Sequence, residues 1–436
     1  MKLDLASILK SYIDGTNTIY NIIQECDSWS FEKKKHFIDE SFYNTMVYCE
    51  KSIPYYQNVL NKHGLTSKDF SEITSIQKLP ILTKDIIRLN YDELRPSNLS
   101  QIKHTSRRSG GTTGEPIRTL VSKEAAAFET FTYFKGLKWM GWKPEMTTVK
   151  LFGGSLGIGK KPTIRQKVYQ WAMGSIFIPA FELSSDNIEY YYSILSKEKQ
   201  LCLVGYASAI NNLTNLLKEK KIKLNNVKLL ITTSEQLIED WKINIQEYFN
   251  CDLRSYYGCG EIESLGYQEN LGDESYRIPS ENVYLETDIH TQELIVTQLH
   301  NRAQPLLRFK NGDVGIVNSN NYPDRINKLV GRTADYFLKK DGSKVSPIFG
   351  TFSIQRSEIP VKKYQYVQYS NGIIEFRYQM EIGELNIINK VTIQKIIDYV
   401  MNEKTIVVFS LNKPFEISLS KKHRITVTID QPFYDK

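Results

Sequence analysis

"RRSGGTTGEP", residues 107–116, sets two arginines, a serine, three glycines and two threonines ahead of a proline. Glycines let a backbone approach a ligand without interference from Cβ, and successive N–H groups in such a loop can point at one anion. Gly110, Gly111 and Gly114 supply that freedom, and Ser109, Thr112 and Thr113 add hydroxyl donors. The stretch reads as a phosphate loop flanked by positive charge, against the plainer alternative of a glycine turn at the surface. Two familiar nucleotide loops do not match. A Walker A loop needs a lysine and a hydroxyl after its last glycine, and here Pro116 and Ile117 follow instead. A dinucleotide fingerprint needs G-x-G-x-x-G straight after a strand, which neither this loop nor "FGGSLGIG" (152–159) provides.

Working outward, residues 1 to about 95 read as helical. Phe37, Phe42, Met46 and Val47 recur at helical spacing until Pro54 interrupts, and Thr83 in "LPILTKDIIRLN" is an N-cap ahead of a short helix. From about 146 to 330, β-branched runs such as "VKLLITT" and "ELIVTQL" alternate with helical stretches such as "NNLTNLLKEKKI", which implies α/β layers. After "LVGRTADYF" (329–337) the texture changes to short strands, one helix and more strands, a small α+β lobe of about a hundred residues.

With 436 residues the chain is long for a single core, so two unequal domains are expected. No run of eighteen apolar residues is present, and the N-terminal segment is acidic where a signal peptide would be apolar; the expectation is a cytoplasmic protein without an integral membrane segment. Five scattered cysteines argue against a disulfide framework and a CxxC zinc site. The net charge of +7 is dispersed among acidic residues and forms no concentrated stripe, which fits a phosphate-bearing small molecule as well as nucleic acid; the aromatics show no interleaved basic patch, so no nucleic-acid partner is expected.

The loop at 109–116 resembles the signature loop of the adenylate-forming enzymes, in the form found in phenylacetate–coenzyme A ligases and CapK-like capsule-biosynthesis proteins. "LPILTKDIIR" upstream is similar to a Leu-Pro-x-x-Thr-Lys element of that branch, and four further motifs follow in the family's order. The fold implied is α/β: a large N-terminal adenylate-forming domain of α/β layers (1–330, with a mainly helical lead-in over 1–95), a hinge at 331–335, and a small mobile C-terminal α+β domain (336–436).

The resemblance also implies roles for residues. In "ITTSEQL" (231–237), Ser234, Glu235 and Gln236 would edge the adenine pocket; the alternative for Ser234 is an ordinary N-cap. In "SYYGCGEIES" (255–264), Tyr257 would pack on adenine beside Gly258, and Glu261 would bind Mg²⁺, which favours one or two carboxylates together with phosphate oxygens. Gly260 stands where a hydroxyl residue is common in the family. Cys259 has no partner thiol or nearby histidine in sequence and is not read as a nucleophile, and Glu263 reads as a solvated neighbour. In "PLLRFKNGDVGIV" (305–317), Asp313 would grip the ribose hydroxyls, with Asn311 replacing a threonine; a type I′ hairpin turn at Asn311–Gly312 is compatible with this. In "GRTADYF", Arg332 would reach phosphate or ribose oxygens and Asp335 would be the hinge. In "SLSKKHRITVTID" (418–430), Lys421 and Lys422 are the candidates for the adenylation lysine, although the usual preceding glycine is absent and a solvated charge run is the alternative.

The resemblance therefore implies ATP- and Mg²⁺-dependent activation of a small carboxylic acid as its acyl-adenylate, with release of AMP on transfer to coenzyme A or an amine. A setting in surface-polysaccharide biosynthesis is implied as well. The competing reading is a non-catalytic nucleotide-binding or complex-forming relative. The acyl pocket is placed no more closely than Gly205, Tyr206 and Ser264, and neither the acid nor the oligomeric state is legible.

Overall fold

The computed structural model describes residues 17–108, 117–152, 174–180, 183–234, 237, 239–270, 272–318, 321–331, 337–342, 344–345, 350, 353–354, 357, 359–380, 382–416 and 426–429. Within the helical lead-in lie α1 (Asn17–Glu25), α2 (Phe31–Ser52), α3 (Pro54–His63) and α4 (Lys84–Leu89). Pro54 ends one helix and opens the next because a proline at N1 lacks only an N–H that would go unpaired there. Thr83 caps α4, its hydroxyl accepting from the N–H of Ile86. Phe42 and Met46 of α2 are fully buried.

Antiparallel β1 (His104–Arg108) and β2 (Arg118–Ser122) pair with Arg108 opposite Arg118, so they form the stem on either side of 109–116. α5 (Lys123–Trp139) follows. Next come β3 (Thr147–Phe152), β4 (Ser175–Pro179), α6 (Ile188–Leu195), β5 (Leu201–Tyr206), α7 (Ala207–Glu219), β6 (Val227–Thr233), α8 (Glu239–Phe249) and β7 (Asp252–Tyr257). These strands are mutually parallel in the order β7-β6-β5-β3-β4. β5 is buried at every position and β6 at all but Lys228, as expected for central strands covered on both faces.

Beyond β7 the sheet turns antiparallel through β8 (Gly266–Tyr267), β9 (Tyr276–Arg277), β10 (Val283–Thr287), β11 (Glu293–Gln298), β12 (Phe309–Val317) and β13 (Arg325–Gly331). The result among the described residues is one 11-stranded sheet, ordered β10-β11-β12-β13-β9-β8-β7-β6-β5-β3-β4. The lead-in helices cover its antiparallel half in one continuous apolar core, and hydroxyls pin them there. Thr45 donates to Leu299 O at 2.7 Å, Tyr48 to Arg302 O at 2.9 Å and Tyr56 to Pro305 O at 2.9 Å. A second core lies under α6, α7 and α8.

The C-terminal part holds β14 (Phe337–Leu338), β15 (Lys344–Val345), β16 (Lys363–Tyr369), β17 (Ile374–Gln379), α9 (Ile387–Met401), β18 (Val407–Leu411) and β19 (Thr426–Ile429). Its four-stranded sheet, β18-β17-β16-β19, closes a separate core around Tyr366, Phe376 and Ile393. This is the smaller α+β domain that the change in composition after 337 implies.

All five cysteines are free. Among the described residues no helix is long and apolar enough to cross a membrane. One expectation needs correcting: Asn311–Gly312 forms no hairpin turn but lies inside β12.

Candidate active site

The site gathers where the parallel and antiparallel halves of the sheet meet, at the C-terminal end of β7. Gly258 begins a loop so tight that a Cβ there would lie 1.7 Å from the carbonyl oxygen of Glu263, so only glycine fits. The loop is closed by hydrogen bonds from Cys259 N to Ile262 O and from Leu265 N to Tyr257 O, both 3.0 Å. It carries Glu261 into the interior, where that residue is 2% exposed.

β12 meets this loop from the other side. Between Glu293 and Ile295 of β11 the register advances from Val314 to Lys310 of β12, and Gly312 takes φ +96° within the resulting bulge. Alternation still buries Phe309, Asn311 and Asp313 together. Asn311 Nδ2 donates to Tyr257 Oη at 2.6 Å, and Tyr257 Oη donates to Asp313 Oδ2 at 2.8 Å. Asp313 N in turn donates to Asn311 Oδ1 at 3.0 Å. Burial and the Asp313 charge hold the Tyr257 hydroxyl protonated, far above the usual tyrosine range. Tyr257 and Asp313, distant in sequence, are thus bonded partners.

The third segment is the lead-in element. Leu82 N donates to Arg308 O and Lys310 N to Leu82 O, each at 2.9 Å, which straps Leu79–Leu82 across the start of β12. Arg308 tightens the strap by donating to Leu79 O at 2.7 Å. Lys84, just past the strap, places Nζ 2.9 Å from Glu261 Oε1, with side-chain exposures of 14% and 2%. The ammonium lies outside hydrogen-bond geometry, so Oε1 is buried with an ion pair but no hydrogen bond. Cys259 reports how close these groups are. Burial, then Glu261 and Asp313, push its thiol well above the ordinary range while Lys84 opposes them, which disfavours the thiolate.

A buried carboxylate with one oxygen lacking a hydrogen bond suits a cation. Among the described residues no three acidic, histidine or cysteine side chains cluster as a self-sufficient metal site. The donor set fits a magnesium shared between Glu261 and nucleotide phosphates.

Arg107, one of the two arginines flanking the glycine loop in sequence, forms ion pairs with two carboxylates. Its Nη2 lies 2.6 Å from Glu129 Oε2 on α5 and 3.3 Å from Glu263 Oε1, tying the stem of the loop to α5 and to the Tyr257–Ser264 segment. Glu263, 58% exposed at its side chain, is therefore an ion-pair partner as well as a solvated neighbour. Burial raises the Glu129 carboxyl to about 7 despite Arg107. On β3, burial lowers Lys150 from the usual lysine range and Glu263 partly restores it.

Ser234 is not an N-cap, because α8 starts only at Glu239. It stands exposed at the end of β6 with φ +66°, a conformation uncommon for a residue with a Cβ and concentrated at functional sites. Gly205 and Tyr206 end the neighbouring β5, paired with Thr232 and Thr233, and Ser264 is fully buried. Ser109, Gly110, Gly111, Thr112, Thr113, Gly114, Glu235, Gln236, Arg332, Asp335, Lys421 and Lys422 lie outside the described residues. Sequence reading missed Lys84, although the Leu-Pro-x-x-Thr-Lys element was its signal. It had no signal for Glu129 or Lys150.

The large mixed sheet with a smaller C-terminal domain is the fold of the adenylate-forming ligases. The chain superposes on 2-hydroxyisobutyryl-CoA ligase in complex with 2-HIB-AMP and CoA in the thioesterification state with a TM-score of 0.61 at 15% identity, covering 92% of this chain and 91% of that one. Against the same ligase in the postadenylation state with R3-HIB-AMP, the TM-score is 0.56 at 14% identity, covering 90% and 89%. In sequence the chain is similar to Protein CapK of Staphylococcus aureus, 25% identical over 393 residues that span 84% of this chain and 82% of CapK. The resemblance carried by the motifs, to the adenylate-forming superfamily and its CapK-like members, therefore holds. No protein-family profile matches the chain.

Proposed function

We propose that this protein is an AMP-forming ligase of the phenylacetate–CoA ligase-like kind. It would activate a small carboxylic acid with ATP and Mg²⁺ and pass the acyl group to coenzyme A or an amine. The observation that carries the reading is the convergence of Lys84, Tyr257, Glu261, Asn311 and Asp313, from three distant segments, at one sheet end in this fold. The 2-HIB-AMP and CoA bound by the structural relative support the acyl-adenylate and the thiol acceptor.

In the first half-reaction a carboxylate oxygen attacks the α-phosphorus and pyrophosphate departs. In the second a thiol or amine attacks the acyl carbon and AMP departs. The protein's part is to position the reactants and neutralise charge. Asp313 and the Tyr257 ring take the ribose and adenine, with Ser234, Glu235, Gln236 and Gly258 along the purine edge. The hydroxyls and amides of Ser109–Gly114 would take the phosphates together with Arg332, and Glu261 would hold a magnesium ion, which would offset their charge. Lys421 or Lys422 belongs to the adenylation step, and Asp335, within a hinge at 331–335, to the change of state between 1–330 and 336–436. A cytoplasmic setting in surface-polysaccharide assembly completes the proposal, resting on the kinship with CapK-like proteins.

The test is acid-dependent exchange of labelled pyrophosphate into ATP across a panel of carboxylic acids. With an acid that supports exchange, Asp313→Ala and Glu261→Ala should each lower the rate by roughly 10²-fold or more while the protein stays folded. Normal exchange in both variants would refute the site.

A further inference from the structure

Lys84 and Glu261 form the most enclosed ion pair at the proposed site. A buried carboxylate stripped of its partner is costly, and so is a buried ammonium. The strap of Leu79–Leu82 on Arg308–Lys310 and the Thr83 cap fix the backbone on both sides of Lys84, so its position is set by the fold. Yet the Nζ–Oε1 contact at 2.9 Å is an ion pair outside hydrogen-bond geometry, and among the described residues Oε1 has no hydrogen-bond partner. The ammonium therefore offsets the charge of Glu261 at the oxygen that a metal would use.

We propose that Lys84 is a positioning residue that stands in for the divalent cation. Before nucleotide arrives it holds the Glu261 carboxylate in place, and it competes with the cation for that carboxylate. This rests on the reading of Glu261 as the magnesium ligand. The competition makes tight binding of the metal depend on ATP, whose phosphate oxygens complete the cation's shell. By mass action, removing an intramolecular competitor strengthens metal binding.

The test is calorimetric binding of α,β-methylene-ATP, which cannot donate its adenylyl group, at a series of MgCl₂ concentrations and in EDTA. Wild type, Lys84→Met, Lys84→Arg and Glu261→Gln are compared, with a thermal melt of each to establish folding. The expected result is that Lys84→Met lowers the MgCl₂ concentration for half-maximal gain in nucleotide affinity by about tenfold. Lys84→Arg, which keeps a competing cation, should stay near wild type, and Glu261→Gln should lose the magnesium-dependent gain. If Lys84→Met does not fold, Lys84→Gln carries the same expectation. Should Glu261→Gln lose the gain while the neutral Lys84 variant leaves the half-point unchanged or raises it, the stand-in role is overturned and the metal assignment stands. Should Glu261→Gln keep the gain, both are overturned.

Discussion

At residue scale, burial decides which ionisable groups the fold tolerates. His300 stacks on Phe128 with ring centroids 3.5 Å apart and lies 2.7 Å from Glu281 O through Nε2, which must carry the proton to donate there. Burial lowers its pKa from 6.5 to about 4. The unfolded chain therefore binds the proton first as pH falls, so stability is unaffected above about 6.5 and is lost on descending toward 4. A shift of this size corresponds to roughly 3 kcal/mol at the acid end. Urea unfolding at pH 7, 5 and 4 should show His300→Gln, which keeps a donor for Glu281 O, losing about that much less than wild type. Equal losses would rule the histidine out as a source of the acid limb. The same logic explains Cys259, where a thiol between two carboxylates is kept protonated and inert.

At the scale of elements, the bulge in β12 aims the proposed ribose-binding carboxylate. A regular antiparallel partner for β11 would carry residue 312 in an ordinary β conformation. With Gly312 at φ +96° the strand takes up its surplus residues, and Asn311 and Asp313 both meet Tyr257. Gly312→Ala should cost about 1–2 kcal/mol, the penalty for a Cβ in a left-handed conformation. It should also weaken ATP binding more than a surface mutation of equal cost, because Gly312 is the backbone neighbour of Asp313 and a change in its φ re-aims that carboxylate. Chemical denaturation and nucleotide titration on the same variant separate the two effects, and unchanged nucleotide affinity would count against the aiming role of the bulge.

At the scale of the whole molecule, a mixed sheet with its own cores joins a smaller C-terminal domain with a separate core. Separate cores are what allow one domain to change its orientation on the other without unfolding either. If the smaller domain delivers a lysine for adenylation, alanine at Lys421 and at Lys422, made singly, should give one loss of about 10²-fold in pyrophosphate exchange and one small effect. Acyl transfer from a preformed adenylate should be spared in both. Two small effects of equal size would mean that neither lysine enters the reaction.

Much of this protein is legible locally. Runs such as "VKLLITT" specify buried parallel strands, Pro54 and Thr83 mark helix ends, and the composition after 337 announces the smaller domain, because hydrophobic period and capping chemistry act within a few residues. The bare Gly258 and the carboxylates Glu261 and Asp313 also announce themselves, since each motif carries its chemistry in adjacent positions. What the sequence could not determine is who meets whom. Only the folded chain brings Lys84 to Glu261, sets the Tyr257 hydroxyl on Asp313, pairs Arg107 with Glu129, and converts an expected Asn-Gly turn into a bulge. Those outcomes depend on strand order and register across the sheet, where partners far apart in the chain compete for the same buried space, and no local pattern encodes the winner.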